Sequence, residues 1–280
     1  MNENFQARIN KSRELIASAD YILIGAGAGL STAAGFEYYG ENFKKYFSDF
    51  IEKYHFTDMY SAGFYPFKTQ EEKWAYWSRY VYVNRYKSRA NPLYKSLFDL
   101  VKDKDYFVVT TNVDHQFQLA GFDKNRLFYL QGDYGLLQCS VPCHNKTYDN
   151  EELILKMVRE QKDCKVPTSL IPKCPVCGRD MEMNLRADDR FVQDEGWFEH
   201  ARLYKEFIEK AENKKLLLLE IGVGFNTPSI IRFPFENMTL LNKNTNLIRI
   251  NKDYAICPQK IQNKTILFDE DIKEILNAIK

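Results

Sequence analysis

Six short, mostly apolar runs constrain the fold of this chain more than any other sequence feature. Each run is bounded by glycine or polar residues, a pattern typical of strands that are buried on both faces of a parallel sheet. Helical patterns precede the runs, as Phe5 to Ala19 precedes the first and Pro92 to Lys102 precedes the second. The runs occupy residues 21–24, 106–110, 127–130, 216–221, 246–250 and 265–268. This alternation predicts an α/β fold with a Rossmann-like parallel sheet.

Two segments interrupt the alternation, and we interpret them as insertions. Residues 38–86 are densely aromatic at helical spacing, which predicts a helical insertion whose rings are mainly core. Residues 139–186 are polar, carry five of the six cysteines and contain no long periodic run. The predicted Rossmann-like domain comprises residues 1–37, 87–138 and 187–280. The helical insertion is predicted at residues 38–86, and the smaller cysteine-rich module at residues 139–186.

Charge and hydrophobicity exclude several classes of protein. The chain has 39 basic and 38 acidic side chains, so its net charge of +1 provides no electrostatic footprint for nucleic acid or an anionic membrane. A hydrophobic fraction of 45% excludes a disordered protein. The first twenty residues lack the apolar core of a signal peptide, and the longest apolar stretch is about half of the ~20 residues a membrane span needs. We expect a soluble, cytoplasmic protein.

The cysteine spacing predicts a metal site. In a reducing compartment the six cysteines are better interpreted as thiols or metal ligands than as disulfides. Two short pairs can place four thiolates around one zinc ion: Cys139 with Cys143, and Cys174 with Cys177. Four protein ligands leave no open coordination position, so this zinc is predicted to be structural. His144 is expected to be a solvated loop residue, and Cys164 and Cys257 have no partner at ligand spacing.

A glycine-rich segment, residues 25–35, follows the first predicted strand and precedes a helix. Such a loop lets backbone amides approach a pyrophosphate at a helix N-terminus, although the match to the G-x-G-x-x-G pattern is imperfect. The alternative is a tight turn in which small residues let a helix pack closely on a strand. We favour nucleotide binding.

Polar motifs at the ends of later strands carry a family resemblance. Residues 110–114 read TTNVD and residues 130–135 read LQGDYG. With GAGLSTAAGF in the glycine-rich segment and the cysteine pairs, the chain resembles the sirtuins, an NAD-dependent family. LRAD at 185–188, GVG at 222–224 and IN at 250–251 resemble later sirtuin motifs in the family's order. The resemblance covers nearly the whole chain and implies NAD as co-substrate together with the structural zinc.

Two departures from the sirtuin pattern indicate a subgroup. Gln131 replaces the family's catalytic histidine, and an amide cannot accept and hold a proton at neutral pH. Residues 37–40 replace the family's P-D-F-R, removing an aspartate and an arginine. Glutamine at this position is similar to the macrodomain-linked sirtuins, which are protein mono-ADP-ribosyltransferases. That resemblance implies nicotinamide release, a lipoylated carrier related to the glycine-cleavage H protein as acceptor, and a macrodomain protein that reverses the modification.

The resemblance also assigns roles to residues. Asn112 is expected to hold the ribose or a water, and Asp114 to contact the nicotinamide side or support nearby polar groups. Gln131 is expected to orient a ribose hydroxyl or the nucleophile, and Arg186 to stabilise the acceptor or the phosphates. These four are the expected catalytic residues. Asn112, Asp114 and Gln131 are also expected to bind the cofactor, with Gly27, Ala28, Gly29, Ser31, Thr32, Tyr39, Gly222, Gly224, Asn226 and Asn251.

Four further points stay open in the sequence. Tyr38 and Tyr39 could close over NAD, and His115 could approach the strand end that holds Gln131. An NAD-dependent deacylase or NAD hydrolase is the alternative enzyme. The non-enzymatic alternative is an NAD- or ADP-ribose-binding module whose zinc-bearing part docks a partner.

Overall fold

A computed structural model describes residues 3–36 and 39–280, so Glu37 and Tyr38 lie outside the described residues. The described residues form nine strands: β1 (Tyr21–Ala26), β2 (Asp105–Thr110), β3 (Leu127–Tyr129), β4 (Gly132–Cys139), β5 (Tyr148–Asp149), β6 (Met181–Leu185), β7 (Leu216–Ile221), β8 (Thr245–Ile250) and β9 (Thr265–Phe268). They also form eleven α-helices: α1 (Glu3–Ser18), α2 (Ala28–Ala33), α3 (Glu41–Tyr54), α4 (Met59–Ala62), α5 (Gln70–Val81), α6 (Pro92–Val101), α7 (Gln116–Leu119), α8 (Glu151–Glu160), α9 (Glu195–Ala211), α10 (Arg232–Leu241) and α11 (Ile272–Ile279). A π-helix (Tyr82–Tyr86) continues α5.

Six strands form one parallel sheet in the order β3-β2-β1-β7-β8-β9. In the centre, Ile24 of β1 lies opposite Val108 of β2 and Leu219 of β7. The predicted fold class is confirmed, and every predicted apolar run overlaps a strand of this sheet. Chain order reverses between β1 and β7, and in open α/β sheets ligands bind outside the carboxyl ends of the strands at such a point.

Helices cover both faces of the sheet, which is why its strands are apolar throughout. On β1, Ile22 and Ile24 join one core with side chains of α1, α2, α6, α7 and α11, whereas Leu23 joins the opposite core with side chains of α9 and α10. Side chains alternate between faces along a strand, so a continuous apolar run serves both cores. Among the helices of residues 3–36 and 39–280, none is long and apolar enough to cross a membrane.

The remaining strands form a small antiparallel sheet in the order β5-β4-β6. This sheet begins at Gly132, within the range predicted for the Rossmann-like domain. LQGDYG therefore spans the turn from β3 and the first half of β4. The cysteine-rich segment, in which the sequence showed no long periodic run, also contains the helix α8. Its buried side chains Ile154 and Met157 account for only a short apolar stripe.

The aromatic insertion and the cysteine-rich segment share one core. Phe47, Trp74 and Tyr76 are fully or almost fully buried, and they belong to the same cluster as Ile154 and Met157 of α8. The prediction that these rings are mainly core is confirmed. The cysteine-rich segment is thus held by apolar contacts with α3 and α5 as well as by its cysteines.

Candidate active site

The glycine-rich segment after β1 meets the loop after β7. The Gly27 amide donates to the Ile221 carbonyl at 3.0 Å, and the Gly29 amide donates to the Gly222 carbonyl at 3.0 Å. A Cβ on Gly222, whose φ is +63°, would lie 2.3 Å from the Leu30 nitrogen. Only glycine permits this approach. Two segments predicted to bind the cofactor therefore lie side by side at the switch point.

Ser31 and the loop after β2 form a buried polar network. The Ser31 hydroxyl donates to Asp114 Oδ2 at 2.6 Å and lies 2.9 Å from the Tyr94 hydroxyl, which accepts a hydrogen bond from Asn112 Nδ2 at 3.2 Å. The Gln116 backbone amide donates to Asp114 Oδ1 at 3.1 Å. Burial raises the pKa of Asp114, and burial together with the Asp114 charge raises the pKa of Tyr94. Three predicted site residues thus share one network, with Tyr94 as a member that the sequence did not indicate.

Gln131 follows β3, the strand that pairs with β2 just before this network, and its backbone is tied to Arg186. The Arg186 backbone amide donates to the Gln131 backbone carbonyl at 3.1 Å, so the main chains of two predicted catalytic residues are adjacent. The Arg186 guanidinium carbon lies 5.0 Å from the ring centroid of Phe191 and 5.8 Å from that of Trp197, which leaves the exposed cation positioned over aromatic faces. A Cβ on Gly132, whose φ is +91°, would lie 1.9 Å from a carbonyl oxygen of β6. The residue after Gln131 must therefore be glycine.

A second charged network follows Gln131. The carboxylate of Asp133 lies 3.0 Å from His115 Nδ1 and 2.9 Å from Arg85 Nε, and it accepts the Gly135 amide at 2.6 Å. Backbone hydrogen bonds join the two motifs here, because the Tyr134 amide donates to the Val113 carbonyl. Neither Arg85 nor Asp133 was predicted as a site residue. The glycines that flank Asp133 in LQGDYG were the signal available in the sequence.

The other predicted cofactor positions are more scattered. Asn251 is buried, and its side chain donates to the Val223 carbonyl at 2.8 Å and accepts the amides of Asp253 and Tyr254. It holds the loops after β7 and β8 together, and a contact with ribose stays a prediction. Several positions face solvent or open space and are free to meet a ligand: Ala28, Thr32, Tyr39, Gly224 and Asn226.

The four predicted metal ligands form one cluster. Their sulfur atoms all lie within 4.8 Å of one another, with Cys139 and Cys177 3.6 Å apart and Cys143 and Cys174 3.7 Å apart. A tetrahedral zinc with Zn–S bonds of about 2.3 Å spaces its sulfurs about 3.8 Å apart, so the cluster fits zinc. Burial raises the pKa of the Cys174 thiol, but the backbone amides of Cys177 and Val176 outweigh it and lower the value to about 7.

Comparison with known proteins assigns the family. No protein-family profile matches the chain. A "Protein ADP-ribosyltransferase" from Staphylococcus aureus is 41% identical over 267 residues, covering 95% of this chain and 85% of that protein. This chain belongs to the protein ADP-ribosyltransferase family. Its fold is that of Sir2 enzymes: a solved structure from work on these enzymes matches this chain with a TM-score of 0.59 at 19% identity, over 98% of this chain and 96% of the other.

Further relatives agree with this assignment. A "Probable bifunctional ADP-ribose hydrolase/ADP-ribosyltransferase" from Fusarium oxysporum is 32% identical to this chain over 246 residues, or 84% of this chain and 40% of that protein. A Sir2 structure with a p53 peptide and NAD matches with a TM-score of 0.59 at 18% identity, over 97% and 96% of the two chains. The predicted ADP-ribosyltransferase family and the predicted sirtuin-like fold are therefore confirmed.

Proposed function

We propose that this chain transfers ADP-ribose from NAD to a side chain of a protein acceptor and releases nicotinamide. The observation that carries the proposal is Gln131. It follows β3 at the carboxyl edge of the sheet, where deacylating sirtuins are expected to hold an imidazole, and its backbone carbonyl accepts the Arg186 backbone amide. The 41% identity to a protein named for this activity supports the same conclusion.

The site residues have the chemistry that the transfer requires. Breaking the bond between nicotinamide and ribose builds positive charge at the anomeric carbon, so aligned hydrogen bonds and a nearby acceptor matter more than a strong base. In our proposal Asn112 and Gln131 orient the ribose hydroxyls. Asp114 is fixed by Ser31 and supports the nicotinamide side, and Arg186 faces the acceptor or the phosphates. The cysteine cluster holds the structural zinc.

The partners and compartment belong to the same proposal. We assign a lipoylated carrier related to the glycine-cleavage H protein as acceptor, on the strength of the motif resemblance alone. A macrodomain protein is the proposed reversing partner, supported by a Fusarium relative whose name joins an ADP-ribose hydrolase with an ADP-ribosyltransferase. The cytoplasm is the proposed compartment, because a cluster of four thiols is kept reduced for metal binding there.

Labelled NAD tests the activity directly. The zinc-loaded protein incubated with labelled NAD and the lipoylated carrier should label the carrier and release nicotinamide. Gln131→Ala and Asn112→Ala should each abolish labelling while the melting temperature changes little. Gln118→Ala is the matched control, since Gln118 lies nearby in α7 and has no assigned role. Full labelling by both site variants, or none by the unaltered protein, would contradict the proposal.

A deacylase is the second candidate. An "NAD-dependent protein deacetylase" from Clostridium perfringens is 31% identical over 175 residues, or 61% of this chain and 63% of that protein. This activity would convert an acyl-lysine peptide to free lysine in the presence of NAD. Deacylation without labelling of any protein would favour it over transfer.

A further inference from the structure

Arg85, Asp133 and His115 form a network that the proposed mechanism does not use. The three residues come from the π-helix, from β4 and from the loop after β2, and they meet at one buried carboxylate. The Arg85 contact is an ion pair at 2.9 Å without hydrogen-bond alignment, whereas the Gly135 amide donates to the same oxygen at 2.6 Å. The other carboxylate oxygen faces His115 Nδ1 at 3.0 Å.

The backbone around this network is adapted to it. A Cβ on Gly135 would lie 2.3 Å from Arg85 Nε, so the second glycine of GDYG leaves room for the guanidinium. Arg85 itself lies in the five-residue π-helix, a conformation that is rare and often found at functional sites. His115 has φ +64°, a left-handed conformation uncommon outside glycine. Three unusual backbone features therefore serve one His–Asp–Arg contact.

The arrangement leaves one imidazole nitrogen available. A carboxylate only accepts hydrogen bonds, so His115 carries its proton on Nδ1 when it is neutral, and Nε2 has the free lone pair. Within residues 3–36 and 39–280, Nε2 meets no hydrogen-bond partner. The side chain is 29% exposed, whereas that of Asp133 is 7% exposed. Nε2 is the part of this network that an incoming side chain can reach.

A proton acceptor is what the site otherwise lacks. Gln131 cannot hold a proton, and Asp114 is buried and engaged by Ser31 and by the Gln116 amide. His115 directly follows Asp114 and contacts the carboxylate two residues after Gln131. We propose that His115 Nε2 accepts the proton of the attacking nucleophile, a hydroxyl or thiol of the acceptor protein. This inference rests on the proposed function and deepens it by naming the acceptor class.

The proposed step forms one bond, breaks one bond and moves one proton. The acceptor oxygen or sulfur forms a bond to the anomeric carbon while the bond from that carbon to the nicotinamide nitrogen breaks. The electron pair of the broken bond leaves with nicotinamide. The proton of the acceptor moves to His115 Nε2 and then to solvent. A carboxylate acceptor carries no proton at neutral pH and would not need His115.

Two variants of His115 separate proton transfer from structure. Asparagine tolerates the left-handed backbone and keeps a donor near Asp133 but has no basic nitrogen, so His115→Asn should slow transfer to the lipoylated carrier by about 10²-fold or more. Its melting temperature should still rise with NAD. His115→Gly keeps the backbone conformation and leaves space, so added free imidazole should restore labelling. His55→Asn is the matched control, because His55 is also left-handed with φ +58° and ends α3 on the surface.

The outcomes distinguish this inference from the proposed function. If His115→Asn labels the carrier as fast as His55→Asn does, His115 is not the proton acceptor. Failure of imidazole to restore labelling by His115→Gly, with NAD still raising its melting temperature, would also overturn the inference. If the unaltered protein neither labels the carrier nor releases nicotinamide, the proposed function fails first.

Discussion

Replacing Arg249 by methionine tests how the carboxyl ends of β7 and β8 are held. Arg249 and Glu220 are both fully buried. Arg249 Nη2 donates to Glu220 Oε2 at 2.9 Å, and Arg249 Nη1 donates to Glu236 Oε1 at 2.8 Å and also to the Ile256 carbonyl. Methionine preserves much of the apolar stem but removes every one of these donors.

The expected cost follows from what is left behind. Without Arg249, the cation left to Glu220 in the described part of the chain is Arg232, whose Nη1 lies 3.7 Å from Glu220 Oε1. Removing one partner of a buried ion pair costs about 3–5 kcal/mol. For 280 residues the unfolding entropy is roughly 0.6 kcal/mol per kelvin, so the melting temperature should fall by about 5–8 °C.

The loss should also depend on pH. Burial raises the pKa of Glu220, and Arg249 opposes this shift by stabilising the carboxylate. A raised folded-state pKa stabilises the protein below the unfolded-state pKa, and that contribution disappears as pH rises through the folded-state pKa. Without Arg249 the carboxylate is stabilised less, so the variant should lose most at neutral pH and less as pH falls and Glu220 takes a proton.

Thermal melting across pH measures both effects, and Arg202→Met is the matched control. Arg202 also contacts two carboxylates, Glu199 and Glu206, but its side chain is 53% exposed on α9. The control should leave the melting temperature nearly unchanged, since exposed ion pairs contribute little. Equal shifts for Arg249→Met and Arg202→Met would refute the argument from burial.

Three further changes probe the site. Ser31→Ala removes the 2.6 Å hydrogen bond to Asp114 and should lower the free energy of unfolding, measured by chemical denaturation, by about 1–3 kcal/mol. The loss should be largest at neutral pH, because the bond stabilises the ionised form of Asp114. A pH-independent loss would contradict this. Gly135→Ala places a Cβ against Arg85 and should slow transfer, and unchanged transfer would show that the clash is relieved elsewhere. Chelating the zinc should release one metal ion per chain and lower the rate of ADP-ribose transfer, and Cys177→Ser should also lower that rate. Full transfer by metal-free protein would contradict a structural role for the zinc.

The strands and the polar residues after them could be predicted because each depends on local pattern. A continuous apolar run predicts a strand buried on both faces, and the carboxyl ends of parallel strands meet at one edge. Asn112, Asp114 and Gln131 could therefore be expected near one another. Their partners could not be predicted the same way. Tyr94 lies in α6, far from Ser31 along the chain, and only the fold brings its hydroxyl to Ser31.

Arg85 shows the limit of sequence patterns more clearly. It lies in the aromatic insertion, 48 positions before its partner Asp133, and nothing local distinguishes it from the chain's other basic residues. Its position depends on a π-helix, whose single extra residue per turn leaves no recognisable periodicity. For Asn251 the sequence could not decide between two roles, since an asparagine after a strand is typical of both a ligand contact and a residue that holds loops together. Its side chain in the fold bonds three backbone groups, and a contact with ribose stays a prediction.

One strand links the metal cluster to the proposed chemistry. β4 begins at Gly132, beside Gln131, and ends at Cys139, so Asp133 and a zinc ligand lie on the same eight-residue element. At about 3.4 Å per residue they are roughly 20 Å apart, too far for a metal at Cys139 to act on Asp133 electrostatically at physiological salt. The zinc therefore acts through the position of β4. Its loss should disturb Asp133, and with it His115 and Arg85, while the glycine contacts between β1 and β7 persist. Metal-free protein that still binds NAD but transfers slowly is the behaviour this connection requires.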